Sequence, residues 1–98
     1  MKLCDFCSST KPVWIFPCET FVIADVKARS LSDWTACEDC AALIVAEKWR
    51  ELARACCEKT VNGRMMVGVI GKEGAIAQVM KMHGEFRKHR SGEPRRVA

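Results

Sequence analysis

The residues of this chain whose types and spacing could do chemistry are two Cys-x-x-Cys pairs, Cys4-Asp5-Phe6-Cys7 and Cys37-Glu38-Asp39-Cys40. A Cys-x-x-Cys turn lets two thiolates converge on one ion. Two such turns supply four sulfurs, a complete tetrahedral shell for Zn²⁺. A shell closed by four protein ligands leaves no position for water, so such a metal holds structure rather than catalysing a reaction. Cys4, Cys7, Cys37 and Cys40 are therefore the expected ligands of a structural Zn²⁺.

Elements on either side must bring the two pairs together. Ser8 to Pro12 reads as a loop. Val13-Trp14-Ile15-Phe16 and Phe21-Val22-Ile23-Ala24 are short runs rich in β-branched and aromatic residues. They flank Pro17-Cys18-Glu19-Thr20 and predict a β-hairpin with Pro17 in its turn. Asp25 to Asp33 reads as an irregular connection. Thr35-Ala36-Cys37-Glu38 fits a capping box with Thr35 as N-cap, so a helix is predicted from Thr35 to about Lys59. Its buried stripe would be Ala42, Val45, Trp49, Leu52 and Cys56, and Asn62-Gly63 would stop it. Cys37 and Cys40 then share one face of the first turns, where free N–H groups and the dipole favour thiolates.

Met65 to Ile70 fits either a strand added to the hairpin or the glycine-weakened start of a helix. Ile76, Val79, Met80, His83 and Phe86 recur at helical spacing, so residues 73–89 read as a second amphipathic helix. Ser91 to Pro94 breaks it, and Arg95 to Ala98 reads as a disordered end. The expected architecture is α+β. A treble-clef-like zinc finger over residues 1–60 is followed by a strand or helix extension over 61–90 and a basic tail over 91–98.

Length and composition agree with a metal-stapled domain. The 98 residues make one small domain, and a core of this size often needs a staple. Seven cysteines, an odd number with paired spacing, favour metal in a reducing cytosol over a secreted disulfide framework. Met1-Lys2-Leu3-Cys4 runs into polar residues with no signal-like apolar stretch, and Ala41 to Ala46 is too short to span a bilayer. A soluble cytoplasmic protein with no membrane contact is expected. The net charge of +4 resides in residues 81–98, because acidic and basic residues cancel before them.

The remaining candidates each have a plain alternative. Cys18, Cys56 and Cys57 read as packing residues, with Cys18 also a possible spare ligand. His83 fits a core or interface position, and His89 a solvated one. Trp14, Phe16, Phe21, Trp34 and Trp49 fit the packing around the metal. Arg87, Lys88, Arg90, Arg95 and Arg96 could contact phosphates or simply solubilise the chain end.

The chain resembles three metal families to different depths. Its pair spacing and Trp34 ahead of the second pair are similar to rubredoxin, whose iron knuckles usually carry Gly after the second Cys. Ser8 and Ala41 stand there instead, and a long helix follows. The scaffold resembles the treble-clef class that includes HNH nucleases, but this hairpin and helix lack the histidines of their catalytic metal. A thioredoxin-like role would need one pair at the end of a βα unit. The fullest match is to a group of small bacterial and phage proteins. It rests on Cys-Asp-Phe-Cys, Pro-Val-Trp-Ile-Phe-Pro-Cys-Glu-Thr-Phe and Asp-Trp-Thr-Ala-Cys-Glu-Asp-Cys-Ala-Ala-Leu-Ile, and covers residues 4 to about 54. That resemblance implies a four-cysteine zinc finger and no activity.

The function expected is a non-enzymatic zinc-stabilised module for a protein partner or for self-association, such as a regulator or inhibitor of a larger complex. Its adaptable surface would be the second amphipathic helix, through Ile76, Val79, Met80, His83 and Phe86, with Met65, Met66 and Met82 nearby. The alternative is a nucleic-acid-binding regulator acting through the basic C-terminal run. No nucleophile–base pair, phosphate loop or small-molecule site is recognisable.

Overall fold

The computed structural model describes residues 3–19, 21–23, 28–30 and 33–97, and the side chains of 21–23 and 28–30 are not among the features described. The predicted strand end at Ala24 and turn residue Thr20 lie outside the described residues. The architecture is α+β. Strands β1 (Trp14–Phe16), β2 (Phe21–Ile23), β3 (Ala28–Ser30) and β4 (Trp34–Ala36) precede helices α1 (Glu38–Val45), α2 (Trp49–Lys59), α3 (Val61–Ile70) and α4 (Lys72–His89). The short strand β5 (Arg95–Arg96) follows.

The expected β1–β2 hairpin is not formed. β2 pairs with β3, inside the segment expected to be an irregular connection. β1 is instead the centre of an antiparallel sheet in the order β4-β1-β5. Trp14 lies opposite Ala36 and Phe16 opposite Trp34, so the strand that follows the first cysteine pair is zipped to the strand that precedes the second. β5 takes the other edge, with Ile15 opposite Arg95. The Arg95–Arg96 segment, expected to be disordered, is therefore an ordered strand.

One long helix from Thr35 was also expected, and the chain divides it. Thr35 and Ala36 belong to β4, and Cys37 is the N-cap of α1. α1 ends in a Schellman motif: the Glu47 N–H donates to the Ile44 carbonyl and the Lys48 N–H to the Leu43 carbonyl. Glu47 supplies the left-handed residue, at φ 57°. The break shifts the helical phase, so the expected stripe is partly wrong. Ala42 and Val45 face solvent, while Ala41, Ile44, Leu52, Ala53 and Cys57 are buried.

Asn62-Gly63 does not stop a helix; it lies in the first turn of α3. Thr60 ends α2 and caps α3 at once, because its Oγ1 donates to the Cys56 carbonyl at 2.8 Å and accepts from the Gly63 N–H at 2.9 Å. Gly63 is buried where α3 crosses α2. A Cβ there would lie 2.5 Å from the Cys56 carbonyl oxygen. Residues 65–70 are helical, but they end α3 rather than start a helix. Gly71 joins α3 to α4 at φ 85° and ψ 164°, a conformation open essentially to glycine.

Two packed regions result. Phe6, Phe16, Ile44, Leu52 and Phe86 form one, flanked by Trp14, Trp34 and Trp49. The second lies among the helices, around Ala53, Cys57, Ala75, Ile76 and Val79. Phe86 of α4 stands among the rings of Phe6, Phe16, Trp34 and Trp49, with centroids 4.9–6.4 Å away. The segment after residue 60 thus packs on the cysteine-bearing part and completes its core.

Candidate metal centre

Local structure converges the four thiols. The first turn is closed by the Ser8 N–H donating to the Cys4 carbonyl and the Cys4 N–H donating to the Ser9 carbonyl, both at 2.9 Å. Ser8 takes the left-handed conformation, φ 65°, that this turn demands. Asp5 ties the turn to β4. Its N–H donates to the Thr35 carbonyl, and its Oδ2 accepts from the Thr35 N–H at 2.7 Å. Thr35 Oγ1 adds a bond to the Leu3 carbonyl at 2.8 Å. β4 then leads directly into Cys37. On the far side, Trp14 Nε1 donates to Glu38 at 2.6 Å, fixing the second turn to β1.

The outcome is a cluster in which Cys4, Cys7, Cys37 and Cys40 are all buried and all four Sγ atoms lie within 4.8 Å of one another. A tetrahedral Zn–S bond of about 2.3 Å implies sulfurs about 3.8 Å apart, so the cluster fits a four-sulfur shell. Cys7 and Cys37 are 3.6 Å apart, far beyond a disulfide bond, and every described cysteine is free. Backbone N–H groups already point at two sulfurs: Phe6 N–H at Cys4 and Cys40 N–H at Cys37, each at 3.5 Å. Such N–H···S contacts stabilise thiolate.

The sulfurs perturb one another strongly. The Cys40 thiol donates to Cys4, which is pushed down to about 5. The same bond, followed by burial, raises Cys40. Burial pushes Cys7 up to about 11. A dication bound there would favour the ionised form of every thiol around it. A recess of about 390 Å³ lies over Cys7 and Cys37, between Lys11 and Lys59.

Cys18 is not in this cluster. It is buried beside Arg90, and its thiol faces the Phe86 carbonyl at 3.9 Å. Cys56 contacts Thr60, and Cys57 is buried in the helical core. Burial raises the thiols of all three.

The expected partner surface on α4 is largely interior. Ile76, Val79, His83 and Phe86 are at most 2% exposed, and Met80 alone of the five is open to solvent, at 36%. They cannot meet a partner because α2, α3 and the aromatic core already cover them. His83 Nδ1 has no hydrogen-bond partner, and burial pushes the ring down to about 4. His89, expected to be solvated, instead places Nδ1 2.8 Å from the Glu85 carbonyl.

The basic C-terminal residues are engaged within the chain. Arg87 lies over Trp49 and pairs with Glu47, and Lys88 pairs with Glu85. Arg90 lies over Phe16 and Phe86. Arg95 pairs with Asp33, while Arg96 pairs with Glu38 and covers Trp14.

Sequence reasoning set Met65 near the expected partner surface but missed Val61, Val69 and Ile70 and the face they form with it on α3. Val61, Met65 and Val69 are 65, 64 and 83% exposed, and Ile70 is 48% exposed. Their spacing, i, i+4 and i+8, was the available signal. Among the described residues, no helix is long and apolar enough to cross a membrane. No family model, curated protein or solved structure matches the chain.

Proposed function

We propose that the protein is a non-enzymatic protein-docking module of treble-clef type, stapled by one Zn²⁺ on Cys4, Cys7, Cys37 and Cys40. The order of elements supports the treble-clef reading: a cysteine turn, an antiparallel pair closed by β1 and β4, and a helix opening on the second cysteine turn. Four sulfurs and no carboxylate or imidazole among the clustered groups suit zinc as a structural ion.

The observation that carries the docking reading is α3. Ten residues with a single charge, Arg64, fold as a helix that buries one glycine and leaves Val61, Met65 and Val69 in solvent. A helix this apolar is ordinarily covered. The nucleic-acid reading is weaker, because the C-terminal cations it needs are drawn into ion pairs and ring contacts. A regulator or inhibitor of a larger assembly is one form that docking would take.

The test has two arms. Elemental analysis should find one zinc per chain, lost together with the fold in Cys37→Ser. Affinity capture should then compare the wild type with Met65→Asp, an exposed change that leaves the melting temperature in place. A protein that rebinds in purified form and is lost with Met65→Asp supports the reading. If the wild type and Met65→Asp retain the same proteins, the reading is overturned.

A further inference from the structure

Arginine pairing singles out one corner of the molecule. Arg50, Arg87, Arg95 and Arg96 each hold a carboxylate, and Arg90 lies on two rings. Among the arginines whose side chains are described, Arg54 and Arg64 have neither kind of partner, and both line one cleft with Lys72. The cleft lies between α2, α3 and the start of α4 and has a volume of about 370 Å³. Cys57 and Val67 form its apolar walls, and Glu58 contributes the one carboxylate. Glu73, bound by Arg50 outside the lining, also lies within electrostatic reach of Arg54 and Lys72, so the corner as a whole sets four cations against two carboxylates and stays positive. Arg64 also stands at the edge of the exposed Val61–Met65–Val69 face, one helical position from Met65, so the positive cleft and the apolar face adjoin.

We infer that this surface receives an amphipathic acidic helix of a partner protein, its apolar stripe on Val61, Met65 and Val69 and its acidic flank in the Arg54–Arg64–Lys72 cleft. The inference rests on the docking reading above and names the chemistry of the partner. Charge complementarity selects the occupant. A second copy fits poorly, because a two-fold pairing of α3 on α3 about Met65 would place both Arg64 side chains beside the axis. A bilayer fits poorly too. The cations line a recess walled by Cys57 and Val67, and a flat surface does not reach into it.

The probe is a displayed library of helical peptides with a fixed leucine stripe. Its flanking positions are randomised among Glu, Gln and Lys, and it is selected on the zinc-loaded full chain. Glu should be enriched on one flank. The best peptide should then bind about tenfold or more weakly to Arg54→Glu/Arg64→Glu and to Met65→Asp, and weaken with added salt as exposed ion contacts do. No enrichment, enrichment of Lys, or indifference to the double variant overturns the acidic partner. Two further measurements separate this failure from failure of the docking reading. A dimer seen by sedimentation and abolished by Met65→Asp would keep docking and replace the partner with a second copy. Binding to phosphatidylglycerol vesicles without peptide binding would overturn both.

Discussion

Replacing His83 with leucine should abolish a specific part of the acid sensitivity of the fold. His83 is 2% exposed, edge-on to Phe6 at 5.2 Å, and its Nδ1 meets no hydrogen-bond partner. Burial disfavours the imidazolium and holds the ring at about 4 when folded, against 6.5 when the chain is unfolded. A pKa depressed in the folded state means that the unfolded chain takes up the proton first. The stability is therefore whole above pH 6.5 and is lost as pH falls toward 4. Linkage over this interval gives a loss of roughly 2 kcal/mol between pH 7 and pH 5. That is a large fraction of the about 5–15 kcal/mol expected of a domain. Leucine has similar volume and no proton to gain. At pH 7.5 the variant should match or exceed the wild type, because an unpartnered buried nitrogen costs about 1–3 kcal/mol. Urea denaturation of both zinc-loaded proteins from pH 7.5 to pH 5 is the assay. Protonation of the cysteine cluster affects both equally and cancels in the difference. A gap that widens by roughly 2 kcal/mol on acidification bears out the reasoning. A gap that stays constant refutes it.

Three further substitutions probe the joints of the fold. Gly63→Ala should destabilise by about 1–3 kcal/mol, because the added carbon meets the backbone of Cys56 and Cys57; thermal unfolding reads this directly. Glu47→Gly should stabilise by about 0.5–1 kcal/mol by relieving a left-handed glutamate, measured by chemical denaturation in high salt, where the exposed pair with Arg87 counts for little. Asp5→Ala should cost about 1–2 kcal/mol and weaken zinc retention in a chelator competition, because the Thr35 N–H loses its acceptor and the first cysteine turn loses its tie to β4.

The cysteine cluster was legible because its information is local: two thiols three residues apart can do little else in such a pattern. The helix over residues 72–89 was legible because its apolar spacing is long and regular. The joints were not, and each for a nameable reason. Glu47 ends α1 in a conformation that announces itself only when glycine supplies it. Gly63 resembles a stop because a glycine after a helix usually is one; here it is the contact that lets α3 cross α2. The strand pairing failed because β1 and β2 are near in sequence, and proximity favours a hairpin. The partner of β1 is β4, which lies beyond both β2 and β3 and is chosen by the need to bring Cys37 back to Cys7. β5 was invisible because two arginines carry no strand signal of their own; Arg95 and Arg96 are placed by Asp33, Glu38 and Trp14. The apolar spacing on α4 marks a true face, but not a free one. A pattern gives direction, and the identity of the covering element comes from tertiary structure.

The joints Thr60 and Gly71 are each a single residue long, so α2, α3 and α4 follow one another with no slack between them. α3 is thereby held at both ends, one by a doubly bonded threonine hydroxyl and the other by a backbone conformation few residues can adopt. A surface mounted in this way has lost its backbone freedom during folding. A ligand settling on it would order side chains such as Met65 and Arg64 but no loop, and the entropic penalty of association would be correspondingly small.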